Sequence, residues 1–371
     1  MAKQLSSLDL HFLLKELKHL EGSKVDKIYN LGNEEICIQI FKSNSGKKIL
    51  RIINSKSLFL TDVKSSEGKP SEFCMLLRKK LENKFLLNME QLEPERIIKI
   101  TLKGKDEEIR LYAEFFGRGN IILCNKDDII IDSLIRHKFR ERAITPKEKY
   151  KWPVMQYNLF GIGKNELSSL LKNSDRDKII TALATGLGLG GLYSEEICLL
   201  SKIDKNISPK SISENHIKLI LASIRKILKN KANASIVYDN GQAIDVVPFD
   251  LEFYKNHDKK EFSSFGEALN YYFTKEIKLS KKESKYEKQI SGLKRIMEEQ
   301  EASIKILIAE EQEFREKAGV IYSQYSLIKE ILNEVNKARE KHSWEEIKKR
   351  LKGHKIVKEV NAKDKTIAIE L

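Results

Sequence analysis

Residues 286–335 read YEKQISGLKRIMEEQEASIKILIAEEQEFREKAGVIYSQYSLIKEILNEV, and this stretch decides how the chain is divided. Taking every third and fourth residue in turn from Tyr286 gives Tyr286, Ile290, Leu293, Met297, Gln300, Ile304, Leu307, Glu311, Phe314, Ala318, Ile321, Tyr325, Ile328, Leu332 and Val335. Only Gln300 and Glu311 are neither apolar nor aromatic. A 3-4 alternation kept this long without proline predicts a coiled-coil helix rather than a helix packed on a globular core. At 1.5 Å per residue it would run about 75 Å. Such a helix cannot bury its own seam, so a partner helix is expected from a second copy, another protein or sequence beyond Leu371.

Outward from the seam, the 371 residues suffice for two or three domains. Lys and Arg number 68 against 54 Asp and Glu, a net charge of +14. That excess draws a chain to a polyanion, with nucleic acid favoured over an anionic membrane. A lysine-rich, solubilising surface would account for much of the same charge. No apolar run is long enough to span a membrane, and the opening MAKQLSSLDLHFLLKELKHLEG reads as an amphipathic helix, so a cytoplasmic protein is expected. Cys37, Cys74, Cys124 and Cys198 lie far apart without a CxxC, which argues against a disulfide framework and a zinc site.

The fold class is α+β. Residues 1–155 read as an antiparallel β-sandwich domain with flanking helices. Ser6 and Asp9 have capping-box spacing ahead of Leu10, Leu13, Leu14 and Leu17. Strands are predicted at 25–30, 35–41, 47–53, 57–61, 96–103, 108–116, 120–124 and 129–135, with a helix at 71–83 between the two groups. Residues 156–232 read as helical, with Gly186-Leu187-Gly188-Leu189-Gly190-Gly191 between two helices. Such a turn frees backbone N–H groups to hold phosphate, as in a helix-hairpin-helix module, or simply permits close packing; both readings stay open. Residues 233–280 hold a hairpin turning at Asn240-Gly241 and a helix that complete the head. The coil occupies 281–340, and 341–371 start a small region in which 355–360 and 366–371 alternate like strands.

No catalytic constellation is present: no P-loop, no G-x-S-x-G, and histidines that are scattered. The chain is read as not an enzyme, with no cofactor and no metal. Charge alone nominates Arg78, Lys79, Lys80, Arg118, Arg136, Lys138, Arg140 and Arg142 as phosphate contacts, and the glycine turn adds Gly188 and Gly190. A solvated surface explains each cation as well. Glu95-Arg96, following Pro94 at the mouth of a strand, is either a surface pair or a grip for a phosphate or base.

Asp9, Lys27-Ile28-Tyr29, Leu77-Arg78-Lys79-Lys80-Leu81, Gln91-Leu92-Glu93-Pro94-Glu95-Arg96-Ile97, Glu114 with Gly119-Asn120-Ile121-Ile122-Leu123, and Pro248, in that order and spacing, resemble the NFACT family. That family includes eukaryotic NEMF, bacterial RqcH and archaeal counterparts, some called fibronectin-binding proteins. The resemblance implies a ribosome quality-control factor of archaeal type that binds a large ribosomal subunit obstructed by peptidyl-tRNA. It also implies recruitment of tRNA, alanine-type in particular, for C-terminal tailing. The implied N-terminal fold is like that of formamidopyrimidine-DNA glycosylases, followed by helix-hairpin-helix and coiled-coil regions. Carried over, the family's functional acid falls on Asp9 and its Asp-Arg pair on Glu95-Arg96, where Glu replaces Asp. The capping-box spacing would explain Asp9 without function. Two rival readings are a fibronectin-binding adhesin, for which no signal peptide or anchor is seen, and a glycosylase-like nucleic-acid binder. Ala2 stands where that enzyme's proline nucleophile would be needed. The resemblance places the seam's partner in a returning helix after Leu371, leaving the outgoing helix exposed or dimerised in the chain as it stands.

Overall fold

The computed structural model describes residues 3–32, 34–63, 69–105, 107–138, 142–231 and 233–371, with side chains left undescribed over 276–288. Ala2 and Arg140 lie outside the described residues, as does the Tyr286 side chain. The chain forms two units, Met1–Lys281 and Lys282–Leu371.

The first unit opens with α1 (Ser7–Leu17). The Ser6 hydroxyl accepts from the Asp9 N–H at 3.1 Å while the Asp9 carboxylate accepts from the Ser6 N–H at 2.8 Å, which closes the capping box. A first antiparallel meander follows: β1 (Lys24–Leu31), β2 (Glu35–Lys42), β3 (Gly46–Ile53) and β4 (Ser57–Thr61). After α2 (Glu72–Leu81) comes a second: β5 (Phe85–Gln91), β6 (Ile97–Lys103), β7 (Glu108–Glu114), β8 (Asn120–Asn125) and β9 (Ile130–Ser133). Together they make one sheet in the order β4-β3-β2-β1-β5-β6-β7-β8-β9. The meanders join where Lys24 stands opposite Phe85, flanked by the bonds Leu86 N–H to Ser23 O and Val25 N–H to Lys84 O at 2.8 Å each, and Ile28, Ile38 and Leu50 of one and Leu86, Ile100, Leu111 and Leu123 of the other share a single core. The sandwich is one sheet folded over that core, closed by Leu10, Leu13 and Leu17 of α1 and Phe73, Leu77 and Leu81 of α2.

Strand β5 escapes the periodicity reading. A register shift between Leu86 and Asn88 puts Leu86 and Met89 inward together, while Phe85 and Leu87 on the other face stay 50% and 46% exposed. The run therefore shows no alternation.

A small pair, β10 (His137–Lys138) with β11 (Ala143–Ile144), precedes the helical part: α3 (Lys164–Lys172), α4 (Ile179–Gly186), α5 (Gly190–Ser201) and α6 (Glu214–Leu228). These enclose a second core around Leu167, Leu183, Ile197, Ile220 and Ile224. Then β12 (Ala234–Asp239) pairs on its two edges with β13 (Gln242–Val247) and β14 (Asp258–Phe262), and α7 (Phe265–Tyr271) closes the unit. Two elements serve both cores. Helix α1 gives Leu10, Leu13 and Leu17 to the sheet core and Leu8 and Phe12 to the helical one. The β12–β13 hairpin splits by strict alternation, Ile236 and Val246 on one side, Val237 and Val247 on the other.

Polar groups trapped between the cores satisfy one another. Lys3 Nζ lies 3.2 Å from Asp9 Oδ2 and 2.9 Å from Asp245 Oδ1, with the Lys3 and Asp9 side chains 7% and 1% exposed. The Tyr193 hydroxyl donates to Asp9 Oδ1 at 2.6 Å, and that of Tyr254 to Asp245 Oδ2 at 2.9 Å. Burial disfavours the Lys3 ammonium, but Asp9 and Asp245 outweigh it and raise its pKa. All four cysteines are free and buried, and burial raises Cys37 and Cys198 to about 11 and Cys124 to about 12, which leaves these thiols unreactive.

In the second unit the expected single helix is broken. Helix α8 (Ile277–Ser323) ends at Gln324 (φ −106°, ψ 17°), and α9 (Tyr325–Arg339) follows. The cause is a small core of its own: Ile331 and Val335 of α9 pack with Val357 and Val360, beside α10 (Trp344–Arg350), β15 (Val357–Asn361) and β16 (Thr366–Ile369). Val335 is thus the one seam position of α9 that this core buries fully, together with the off-seam Ile331, while Leu332 stays 47% exposed. Along α8, Ile290, Met297, Ile304, Leu307 and Phe314 are 52–64% exposed. No helix among the described residues is long and apolar enough to cross a membrane.

Substituting Lys3→Met removes the cation between two buried carboxylates. Breaking one side of a buried ion pair costs about 3–5 kcal/mol, so thermal unfolding should shift down by about 10 °C, and an unchanged midpoint would show that the cluster is not structural.

Candidate nucleic-acid interface

The start of α1, the loop 92–96, the strand after it and the glycine turn converge. Gln91 makes the junction: its side-chain amide donates to Ser7 O at 3.1 Å, Ser7 Oγ at 2.9 Å and Glu95 O at 3.0 Å. Glu95 N–H donates to Leu92 O at 2.8 Å, and Phe115 N–H to Arg96 O at 2.8 Å, which fixes the loop at both ends. From the other side, a Cβ at Gly188 would stand 2.9 Å from Met155 Sδ and 3.9 Å from Pro94 O. Behind Met155 a cleft of about 580 Å³ runs past Tyr157, Leu170, Arg176 and Thr185. Alongside, the His11 ring stacks on Phe160 at 4.6 Å.

Glu95 and Arg96 are half-buried and incompletely satisfied. Glu95 Oε1 is buried with no hydrogen-bond partner among the described residues. Burial pushes the Glu95 carboxyl up, opposed by the Met155 amide and Arg96. Burial likewise lowers Arg96, with Glu95 opposing. Arg96 makes no ion pair or side-chain hydrogen bond among the described residues. Arg96 is thus a half-buried planar donor without a partner among them, the kind of group that a base or phosphate completes, while the unpaired Glu95 oxygen beside it in sequence is closed to solvent.

Asp9 is placed differently from a contact residue. It is 1% exposed, and its oxygens already take Ser6 N–H, Tyr193 and Lys3. Its effect on the site passes through α1, whose Ser7 holds Gln91. The glycines also separate. Gly186 and Gly188 are packing positions, since a Cβ at Gly186 would meet Leu170 at 2.9 Å and Gly188 has φ +63° besides its contact with Met155. Gly190 and Gly191 are exposed with nothing near their Cβ positions, and α5 begins there without a side-chain cap.

Four of the charge-based candidates have partners of their own. Arg142 is engaged inside the head: both its terminal nitrogens hold buried Glu114, at 2.6 and 3.0 Å, and Tyr150 donates to the same carboxylate at 2.9 Å. Arg78 donates to Ile28 O at 2.7 Å, Lys80 pairs with Glu107 at 3.0 Å, and Arg136 grips Asp132 through two bonds at 2.8 and 2.9 Å. Lys79, Arg118 and Lys138 are exposed. Sequence reading passed over Lys3, Gln91, Met155, Tyr193 and Asp245; only Gln91 carried a signal, as part of the quoted motif. No group of three His, Cys, Asp or Glu among the described residues is placed to hold a metal ion.

Against known proteins, the family described as NFACT N-terminal and middle domains matches residues 6–368. The chain belongs to the NFACT family. The archaeal Rqc2 homolog aRqcH of Methanocaldococcus jannaschii is 32% identical over 96% of this chain and 55% of its own length. The Rqc2 homolog RqcH of Streptococcus suis is 24% identical over 88% and 58%, and the ribosome quality control complex subunit NEMF homolog of Drosophila melanogaster 23% over 99% and 43%. The chain thus spans about half the length of the curated relatives it matches. Among solved structures, the fibrinogen-binding protein of Staphylococcus aureus aligns with a TM-score of 0.60 at 20% identity, over 72% of this chain and 98% of that one. This likeness concerns the α+β fold of the head.

In this NFACT head His11 offers a readout of the site's packing. Burial, helped by Lys15, lowers its pKa to about 4, so its 3.9 Å approach to Glu93 joins a neutral ring to a carboxylate at neutral pH. The unfolded chain, with a histidine near 6.5, takes up the proton first. Stability should therefore fall as pH drops from about 6.5 to about 4. His11→Phe, which keeps the stack on Phe160, should flatten that part of the dependence in urea unfolding at pH 7 and 4.5; an unaltered slope would place the titration elsewhere.

Proposed function

We propose that this chain is the tRNA-binding head and coil of a ribosome quality-control factor. It acts in the cytoplasm on a large ribosomal subunit obstructed by peptidyl-tRNA, and recruits tRNA, alanine-type in particular, for C-terminal tailing of the stalled chain. The observation that carries the reading is the unsatisfied Glu95–Arg96 pair at the junction of α1, the 92–96 loop and the glycine turn. The names of the NFACT relatives as ribosome quality control subunits support it, as does the charge of +14.

In this reading Arg96 meets phosphate or stacks on a base, and Glu95 orients Arg96 through its charge. Asp9 acts as a positioning residue, through Ser7 and Gln91, rather than as a contact. The open N–H groups at Gly190 and Gly191 meet a backbone phosphate. The chain itself performs no covalent step; the ribosome makes the peptide bond.

Fluorescence anisotropy with labelled alanine-accepting tRNA at low salt tests this. Arg96→Ala should weaken binding about tenfold or more, as for a contact worth about 1–3 kcal/mol, while leaving the unfolding midpoint in place. Gln91→Ala should weaken it less and lower stability as well. Tight tRNA binding by the Arg96→Ala variant would end the proposal.

A further inference from the structure

Five side chains cross the sheet in a straight row: Lys47 on β3, Phe41 on β2, Lys24 on β1, Phe85 on β5 and Lys103 on β6. Each is directly opposite the next, as Phe41 with Lys47, Lys24 with Phe41, Lys24 with Phe85 and Phe85 with Lys103. Directly opposed residues share a face. Their chain neighbours Ile40, Val25, Leu86 and Leu102 all lie in the sheet core, so the row points outward. Phe41 is 42% and Phe85 50% exposed, Leu87 beside them is 46%, and the three lysines are exposed as well.

A solvated face would explain the lysines but not two phenylalanines set between them. With strands about 4.8 Å apart, the two rings stand about 10 Å from each other with the Lys24 ammonium between. Lys24 and Lys103 make no ion pair among the described residues. The carboxylates nearby are already engaged: Asp26 pairs with Lys47 at 3.3 Å, and Glu108, next in the row after Lys103, with Arg110 at 3.3 Å. We propose that this face is a platform for single-stranded RNA, in which each phenylalanine stacks a base and the lysine between them meets the connecting phosphate. Alternating flat apolar groups and cations match a polymer that alternates bases and phosphates. The row sits at the Phe85 end of β5, about 20 Å along that strand from Gln91, and does not depend on tRNA binding at Glu95–Arg96.

The test uses the full chain and a fluorescein-labelled oligouridylate of about 12 nucleotides, within the usual site size of such platforms. Binding at low salt is expected. Phe41→Ala and Phe85→Ala should each weaken it about tenfold, the equivalent of about 1.4 kcal/mol per stacked base. Phe41→Tyr and Phe85→Tyr should keep it. Lys24→Ala should reduce the dependence of log affinity on log salt by about 0.7. Arg96→Ala should leave the oligouridylate affinity unchanged while lowering that for tRNA, so the two sites can fail separately. Absence of binding, a double Phe→Ala variant of native circular dichroism that binds as tightly as the unmodified chain, or equal competition by duplex RNA would overturn the proposal. So would phosphatidylserine vesicles displacing the RNA through the same two rings.

Discussion

The head depends on one buried ionic cluster. Lys3 lies between Asp9 and Asp245, and Tyr193 and Tyr254 each donate to one of the carboxylates. Those five residues come from the N-terminal segment, α1, β13, α5 and the turn before β14. Charges taken out of water must meet their partners closely or cost several kcal/mol, and this requirement sets how the sheet core and helical core share α1 and the β12–β13 hairpin.

From that arrangement the candidate site follows. Once α1 is placed, Ser7 is in reach of Gln91, Gln91 holds the Glu95 carbonyl, and the glycine turn closes on Pro94 and Met155. The loop is thus stiff in its backbone while its two charged side chains stay short of partners. Rigid support under unsatisfied groups is what recognition requires, since the ordering cost has been met in folding. Asp9 reads as functional by resemblance and as a helix cap by spacing. The structure shows the cap, and with it a link between the cores that neither reading held.

Elements whose burial repeats with a regular period were legible. The capping box at Ser6, the first meander, the hairpin at Asn240-Gly241 and the strands from Ile97 onward stand where alternation and turn residues put them. Legibility failed where periodicity was interrupted by something distant. Strand β5 hides because a bulge flips its parity and because Phe85 and Leu87 are apolar on the open face. The seam reads unbroken in sequence, whereas the helix is interrupted at Gln324 and the last seam residue, Val335, joins Ile331 in a small core with the β15–β16 hairpin. Among the cations, sequence could count charge but not see that Glu114 already occupies Arg142.

By itself the sequence determined the local grammar: which segments are helix or strand, where they start and stop, that a long helix lacks a partner within its own seam, and the family. These are properties of neighbours within a few residues, and they are written in spacing. The tertiary structure decided which buried face meets which, that Lys3 answers both Asp9 and Asp245, that Glu95 and Arg96 are left wanting partners, and that Lys and Phe line up across five strands. Those facts join residues from tens to hundreds of positions apart. A hydrophobic or charged side chain announces that it needs a partner, but only packing in three dimensions determines which one it gets.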